Sequence, residues 1–299
     1  MKSPRLIALA IATLVSACSP PGMLNALDRG YGSSGTGRIA GAIAFGTHGQ
    51  MLDVWRPVGD ATGGVTGPRP VVVFWYGGGW VNGTRQDYGF AARAFASKGF
   101  IVVVPDYRKV PAIHFPAMIE DGAEAVKWTR DTIGQYGGDP TKIALAGHSA
   151  GAYTVAMLTL DTKWLKAVGV DPHIVRAAVG LCGPYDFYPF TGRAIEALSL
   201  WPRPMETQPI KFARADAPPM LLVTASDDTE VRPRNAINLT AALKERGAPV
   251  VLRNYAGLTH ENVVMALSRP FRGKAPVLTD SVAFIQGVLS RSAEPPSAK

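Results

Sequence analysis

The 299-residue sequence has few of the residues that build metal centres or disulfide frameworks. It contains two cysteines, Cys18 and Cys182, and no group of histidine, cysteine and carboxylate residues has metal-ligand spacing. No glycine-rich loop has the pattern of a phosphate or dinucleotide site. We therefore predict neither a metal nor another cofactor. Cys182 lies in an apolar run, where a buried and unreactive thiol is expected.

Long hydrophobic segments and clusters of basic residues are also missing. After the first twenty residues, no apolar stretch is long enough to cross a bilayer. The formal net charge is +8, but the lysines and arginines are scattered singly, with no aromatic platform among them. Nucleic-acid binding is therefore not expected. The remaining composition, 47% hydrophobic and 18% charged, is that of a globular protein with a sizeable core.

The N-terminus has the pattern of an export signal. Lys2 and Arg5 precede a short apolar segment at 6–15, and Val-Ser-Ala-Cys follows at 15–18. The apolar segment is too short to span a membrane as a helix. An ordinary secretory signal that is cleaved off is one interpretation of this pattern.

The second interpretation starts from the cysteine, because Val-Ser-Ala-Cys resembles the lipobox of bacterial lipoproteins. That resemblance implies a signal peptide at 1–17 and a diacylglycerol on Cys18, which would anchor the protein in a membrane. Ser19 follows the cysteine, and this resembles the pattern of lipoproteins sent to the outer membrane. We therefore expect a lipid-anchored protein of the bacterial cell envelope, facing the periplasm.

Composition divides the rest of the chain into three parts. Residues 18–38 are rich in Gly, Ser and Pro and are predicted to be a flexible tether. Residues 39–291 are predicted to form one domain. The tail at 292–299 contains two prolines and is predicted to be frayed.

Apolar and amphipathic segments alternate along the domain. Nearly continuous apolar stretches, which suit strands buried on both faces of a parallel sheet, occur at 71–75, 100–104, 143–146, 177–181 and 220–224. Segments with helical spacing occur at 89–98, 119–136, 150–160, 234–246 and 279–290. This alternation predicts an α/β fold with a mostly parallel central sheet flanked by helices. Two earlier runs, 41–45 and 50–55, predict an antiparallel pair at one edge.

One motif indicates a nucleophile. Gly-His-Ser-Ala-Gly at 147–151 directly follows a predicted strand and opens a predicted helix. This strand–turn–helix context is the one that the Gly-x-Ser-x-Gly pattern needs, because small flanking residues let a strained turn expose its serine. Ser149 is therefore the predicted nucleophile.

A glycine-rich motif, Tyr-Gly-Gly-Gly-Trp, stands at 76–80 after a predicted strand. Three consecutive glycines cost conformational entropy, so a tight turn or a close backbone approach is expected there. Backbone N–H groups aimed at a tetrahedral oxyanion would be such a need. A merely flexible loop is the alternative.

Together with Pro-Asp-Tyr-Arg at 105–108 and Gly-Gly-Asp-Pro at 137–140, these motifs resemble the hormone-sensitive-lipase-like and related bacterial carboxylesterases. The resemblance covers most of the chain and implies an α/β-hydrolase fold and ester hydrolysis through an acyl-enzyme. It also implies that Gly78, Gly79 and Ala150 donate the oxyanion-hole N–H groups.

The chain departs from this family at Tyr76, where a histidine is usual. Because a tyrosine hydroxyl still forms hydrogen bonds, we expect altered support of the glycine loop and not lost catalysis. Asp106 and Arg108 are expected to form hydrogen bonds that fix loops.

The acid and the base should follow the serine in the chain. Asp228 stands three residues before Val231, the spacing of similar esterases, and Asp227 is the alternative. His260 follows a predicted strand and is the expected base. The other histidines, which we expect to be surface or packing residues, are His48, His114, His148 and His173.

Residues 185–215 are predicted to be a small cap over the site, with aromatic walls. The aromatic residues concerned are Phe187, Tyr188, Phe190 and Trp201. Cover for the sheet edge is the alternative. A small cap favours short or medium esters, or aryl and acetyl esters.

Two rival functions remain. One is a peptidase or amidase on the same scaffold, and the other is a catalytically silent envelope-binding lipoprotein.

Overall fold

The computed structural model describes residues 19–32, 34–58 and 67–291. Within them, eight strands form one sheet in the order β1-β2-β4-β3-β5-β6-β7-β8. The strands are β1 (Thr36–Phe45), β2 (Gln50–Pro57), β3 (Arg69–Trp75), β4 (Ile101–Pro105), β5 (Gly138–His148), β6 (Val175–Leu181), β7 (Met220–Ala225) and β8 (Val250–Tyr255). The predicted signal peptide, Cys18 and the predicted frayed tail lie outside the described residues.

The sheet is mostly parallel, as predicted. β1 and β2 form an antiparallel hairpin, β2 is antiparallel to β4, and every other neighbouring pair is parallel. The five residues 71–75 of β3 are fully buried, which their apolar sequence favours because helices cover both faces of the sheet. The predicted antiparallel edge pair is confirmed, and β1 is longer than the run at 41–45 that predicted it.

Nine α-helices lie in the described ranges. They are α1 (Pro20–Gly30), α2 (Gly89–Ala96), α3 (Ala117–Thr132), α4 (Ala150–Leu160), α5 (Lys163–Ala167), α6 (Arg193–Leu198), α7 (Arg234–Glu245), α8 (His260–Met265) and α9 (Val277–Arg291). Every residue of α4 is buried, because this helix packs against the centre of the sheet. No helix in these ranges is both long and apolar enough to cross a membrane.

Helix α1 corrects the prediction of a flexible tether at 18–38. Residues 20–30 form a docked helix, and β1 begins at Thr36. The Ser19 hydroxyl caps the helix by accepting a hydrogen bond from the Gly22 N–H at 3.1 Å. Pro20 occupies the first turn, where a missing N–H costs nothing. The prolines and glycines that suggested a linker therefore mark the two ends of a helix.

Candidate active site

Ser149 lies in a sharp turn between β5 and α4, with φ 54° and ψ −121°. This region of φ is unfavourable for a residue with a side chain, and the surroundings enforce it. A Cβ on Gly147 would lie 2.6 Å from the Gly151 carbonyl carbon, and one on Gly151 would lie 2.6 Å from that of Trp75. Both positions therefore require glycine. Ser149 itself is only partly buried and sits at the N-terminus of α4.

The carboxylate of Asp228 and the imidazole of His260 are in direct contact. His260 Nδ1 lies 2.8 Å from Asp228 Oδ2, and both side chains are buried. The other oxygen, Oδ1, accepts the N–H groups of Glu230 at 3.0 Å and Val231 at 2.8 Å, which fixes the carboxylate in the turn after β7. With a proton on Nδ1, the imidazole donates to Asp228 and keeps Nε2 free to accept a proton.

Asp227 points elsewhere. Its carboxylate accepts the Ser226 hydroxyl at 2.7 Å on the surface. The structure therefore places Asp228, the preferred candidate, against His260. His260 is the first residue of α8, and the Thr259 hydroxyl caps this helix. Ser149 and His260 line the same cavity.

The glycine loop, residues 76–80, lines this cavity beside the serine. A Cβ on Gly77 would lie 3.1 Å from Ser149 Cβ, so the loop and the turn are in close contact. Gly78 and Gly79 have φ of 132° and 60°, and the Gly78 carbonyl accepts the Asn82 N–H at 3.0 Å. Gly78, Gly79 and Ala150 all line the cavity with Ser149.

Tyr76 supports the glycine loop through a buried polar network. Its hydroxyl donates to Asp106 Oδ1 at 2.9 Å, and its ring stacks on that of Tyr107 with centroids 4.8 Å apart. Burial raises the pKa of Tyr76 well above its usual value, with smaller contributions from Tyr107 and Asp106, so the hydroxyl remains a donor. Lys109 Nζ donates to the same hydroxyl at 3.1 Å.

Asp106 and Arg108 form the loop-fixing contacts that the sequence predicts. Asp106 also accepts the Arg85 backbone N–H at 3.0 Å and forms an ion pair with the Arg85 guanidinium, which donates through Nε to Asp53 at 3.0 Å. Arg108 Nη2 donates to Asp121 Oδ1 at 2.7 Å. The segment after the glycine loop is thus tied to β2 and to the end of β4, and the segment after β4 is tied to α3.

His148 has a part in the site that the sequence did not reveal. Its Nε2 lies 3.3 Å from the His260 carbonyl oxygen, which can only accept, so this nitrogen carries the proton. Its Nδ1 lies 3.4 Å from the Tyr88 hydroxyl. Burial lowers the pKa of His148 well below its usual value, and nearby His260 adds to this, so the ring is neutral. Any residue can occupy the second position of Gly-x-Ser-x-Gly, so the motif gave no signal.

Cys182 packs against the acid. Burial raises the pKa of its thiol well above the usual value, and the Asp228 carboxylate, to which the thiol donates a hydrogen bond, raises it further. Cys182, Asp228 and His260 offer ligand atoms within 4.8 Å of one another, the spacing of a metal site. A cysteine binds a metal as its thiolate, which this environment disfavours. Hydrogen bonds within the trio account for its spacing.

The cavity at the serine has a volume of about 1210 Å³. Phe187 is the one aromatic residue of the predicted cap that lines it, together with Arg193 of α6. Trp201 instead packs edge-on against Phe115, with centroids 5.3 Å apart, and Tyr188 is exposed. Of the aromatic residues predicted for the cap, the structure thus places Phe187 at the cavity and Trp201 against Phe115.

A family model described as BD-FAE matches residues 53–243, well over half of the chain. The chain belongs to the BD-FAE family. The matched BD-FAE region contains the glycine loop, Ser149 and Asp228, and it ends before His260.

Named relatives of this BD-FAE chain are esterases. Esterase LipC of Mycobacterium tuberculosis is 32% identical over 215 residues, which is 65% of this chain and 52% of that protein. The isoprenylcysteine alpha-carbonyl methylesterase ICME of Arabidopsis thaliana is 28% identical over 83% of this chain and 62% of its own length. The chain thus spans 52% and 62% of the length of these two curated relatives.

Solved structures show the same architecture. An esterase of Pyrobaculum calidifontis superposes with a TM-score of 0.67 at 25% identity, covering 85% of each chain. Esterase B of Lactobacillus rhamnosis superposes with a TM-score of 0.75 at 16% identity, covering 97% of this chain and 98% of its own. The predicted α/β-hydrolase fold of the carboxylesterase type is confirmed.

Proposed function

We propose that this protein is a serine carboxylesterase that hydrolyses its substrate through an acyl-enzyme on Ser149. The observation that carries the proposal is the buried hydrogen bond, 2.8 Å long, between Asp228 and His260, and His260 lines the same cavity as a serine held in a strained turn. Nucleophile, base and acid in this order along the chain are the components of acyl transfer. The names of the relatives support the same activity.

In the proposed mechanism, His260 Nε2 takes the hydroxyl proton of Ser149 while the serine oxygen attacks the ester carbonyl. The backbone N–H groups of Gly78, Gly79 and Ala150 donate hydrogen bonds to the carbonyl oxygen as its negative charge forms, each contributing about 3 kcal/mol. The intermediate expels the alcohol, which receives the proton from the imidazolium. Water, activated by His260, then cleaves the acyl-enzyme and releases the acid. Asp228 holds the tautomer and stabilises the charged imidazole.

The substrate that we propose is a short or medium ester, or an aryl or acetyl ester. Phe187 at the cavity wall and the modest size of the 185–215 insertion support this class. A panel of p-nitrophenyl esters tests this substrate class. The fastest turnover on the longest acyl chains would contradict it.

A fluorophosphonate probe tests the enzyme itself. We expect wild-type protein to be labelled and Ser149→Ala to be unlabelled, whereas Ser290→Ala, which changes an exposed serine on α9, should label like wild type. No labelling of the wild type would favour the catalytically silent lipoprotein. Hydrolysis of p-nitroanilides at rates matching the esters would favour a peptidase or amidase.

We further propose that Cys18 carries lipid and anchors the protein in the outer membrane of a bacterial envelope, facing the periplasm. The support is the sequence at 1–19, with its positive start, short apolar segment and Val-Ser-Ala-Cys. Expression with labelled palmitate, followed by membrane separation on a density gradient, tests this. Cys18→Ser should lose label and leave the membrane fraction, and Cys182→Ala should do neither. Equal fractionation of Cys18→Ser and wild type would contradict it.

A further inference from the structure

Helix α1 forms one wall of the cavity that contains Ser149. This wall consists of six residues at the start of the described chain, namely Ser19, Pro20, Pro21, Met23, Leu24 and Leu27. The helix precedes the region matched by the family model, which begins at residue 53. This chain therefore completes its catalytic cavity with an element outside the family domain.

The wall has an apolar surface that no part of the described chain covers. Met23 and Leu27 are one helical turn apart and share a face, and they are 55% and 56% exposed although they line the cavity. Leu24 beside them is 6% exposed and anchors the helix in the core. Other residues that line the cavity are also apolar, namely Phe90, Val264, Met265 and Phe271. A ligand chain in this cavity would remove from water apolar area of the helix and of these residues.

The helix is fixed in this position by buried charge. Asp28 is 1% exposed and accepts hydrogen bonds from Arg93 Nε at 2.7 Å and from the Arg269 backbone N–H at 2.8 Å. Arg93 Nη2 also donates to Asn25 Oδ1 at 2.7 Å, and Asn25 Nδ2 donates to the Gln86 carbonyl at 2.7 Å. The wall is thus formed before any ligand binds, and the entropy of ordering it is not lost on binding.

We propose that α1 is a substrate-binding element whose Met23 and Leu27 contact an apolar chain of the ester and set the preferred chain length. This inference rests on the proposed esterase function. It specifies that an ester with a medium-length alkyl chain is used better than the same ester with a short chain. The apolar chain can belong to the acyl part or to the alcohol part, and the test has an arm for each.

The test compares chain-length profiles. In the acyl arm, kcat/KM is measured for p-nitrophenyl acetate and octanoate, and in the alcohol arm for ethyl and octyl acetate. For the double variant Met23→Ala/Leu27→Ala, the ratio of long-chain to short-chain kcat/KM should fall about tenfold in one arm. The loss should fall on the long-chain esters, with a smaller change for p-nitrophenyl acetate and ethyl acetate.

Two controls separate contact from general damage. Ile237→Ala removes a similarly exposed side chain (47%) from α7, outside the cavity, and should leave both profiles unchanged. Leu27→Met keeps the apolar volume and should keep the wild-type ratio. An unchanged ratio for the double variant in both arms, or an equal loss on all esters, would overturn the inference while leaving the esterase proposal intact. A wild type with no ester hydrolysis and no fluorophosphonate labelling would overturn both.

Discussion

The two sides of the catalytic cavity are held by different forces. On the side of the sheet, Ser149 is positioned by backbone contacts so close that Gly147 and Gly151 admit no side chain. At the wall formed by α1, the helix is held by the carboxylate of Asp28 between Arg93 and Arg269. The position of the nucleophile therefore depends on local chain geometry, whereas the shape of the binding site depends on a few charges brought together from distant parts of the sequence.

The largest expected effect concerns the catalytic side. Asp228→Asn removes the negative charge and favours the wrong imidazole tautomer, so kcat should fall about ten-thousand-fold. Asp227→Asn is the matched control, one residue away but turned to the surface, and should change kcat less than about threefold. Steady-state kinetics on p-nitrophenyl acetate measures both. Similar losses for the two variants would mean that the contact with His260 does not decide catalysis.

The next effect concerns the docked helix. Asp28→Ala leaves Arg93 buried without its carboxylate, so the free energy of unfolding should fall by about 3–5 kcal/mol. Asp131→Ala breaks ion pairs that Lys127 and Arg130 form on the surface, and should cost less than about 1 kcal/mol. Urea unfolding measures both. A small loss for Asp28→Ala would show that charge does not hold α1.

A smaller loss of stability is expected from overfilling the turn. Gly151→Ala places a methyl group against the Trp75 backbone, which has to move, at a cost of about 3 kcal/mol. Gly134→Ala adds the same methyl group where nothing lies within 4 Å and should be nearly neutral. Urea unfolding of both variants measures the difference. Equal midpoints for the two variants would contradict the close contact.

The smallest effect is a pH dependence from His148. Its pKa is lowered by burial in the folded protein, so the unfolded chain binds a proton that the folded chain does not. Stability should therefore decline as pH falls below about 6.5, by up to about 1.4 kcal/mol per pH unit. His148→Gln should flatten this part of the profile, measured by urea unfolding between pH 7 and 5.5. Identical slopes would exclude His148 as their source.

The catalytic side could be predicted because its signals are local. The turn of Ser149 is specified by five consecutive residues between an apolar strand and a helix. Asp228 was found from its distance to Val231, and the structure shows the reason, since the Val231 N–H holds the carboxylate in place. The strands of the sheet were recognised from their continuous apolar sequence.

The docked helix could not be predicted because its partners are far away in the chain. Asp28 binds Arg93, 65 residues later, and the backbone of Arg269, 241 residues later. Ser19 followed by Pro20 is compatible with a helix start and with a linker, so the local sequence does not decide between them. The contact of His148 with His260 likewise joins residues 112 apart.

The position of Ser19, the N-cap residue of α1, has a consequence for how the enzyme would reach its substrate. Ser19 both begins the helix and lines the cavity, and it directly follows Cys18. A diacylglycerol on Cys18 would therefore be attached one residue from the cavity wall, with no linker between this wall and the bilayer. The enzyme would then search for esters by lateral diffusion in the plane of the lipid surface, and not in the volume of the periplasm.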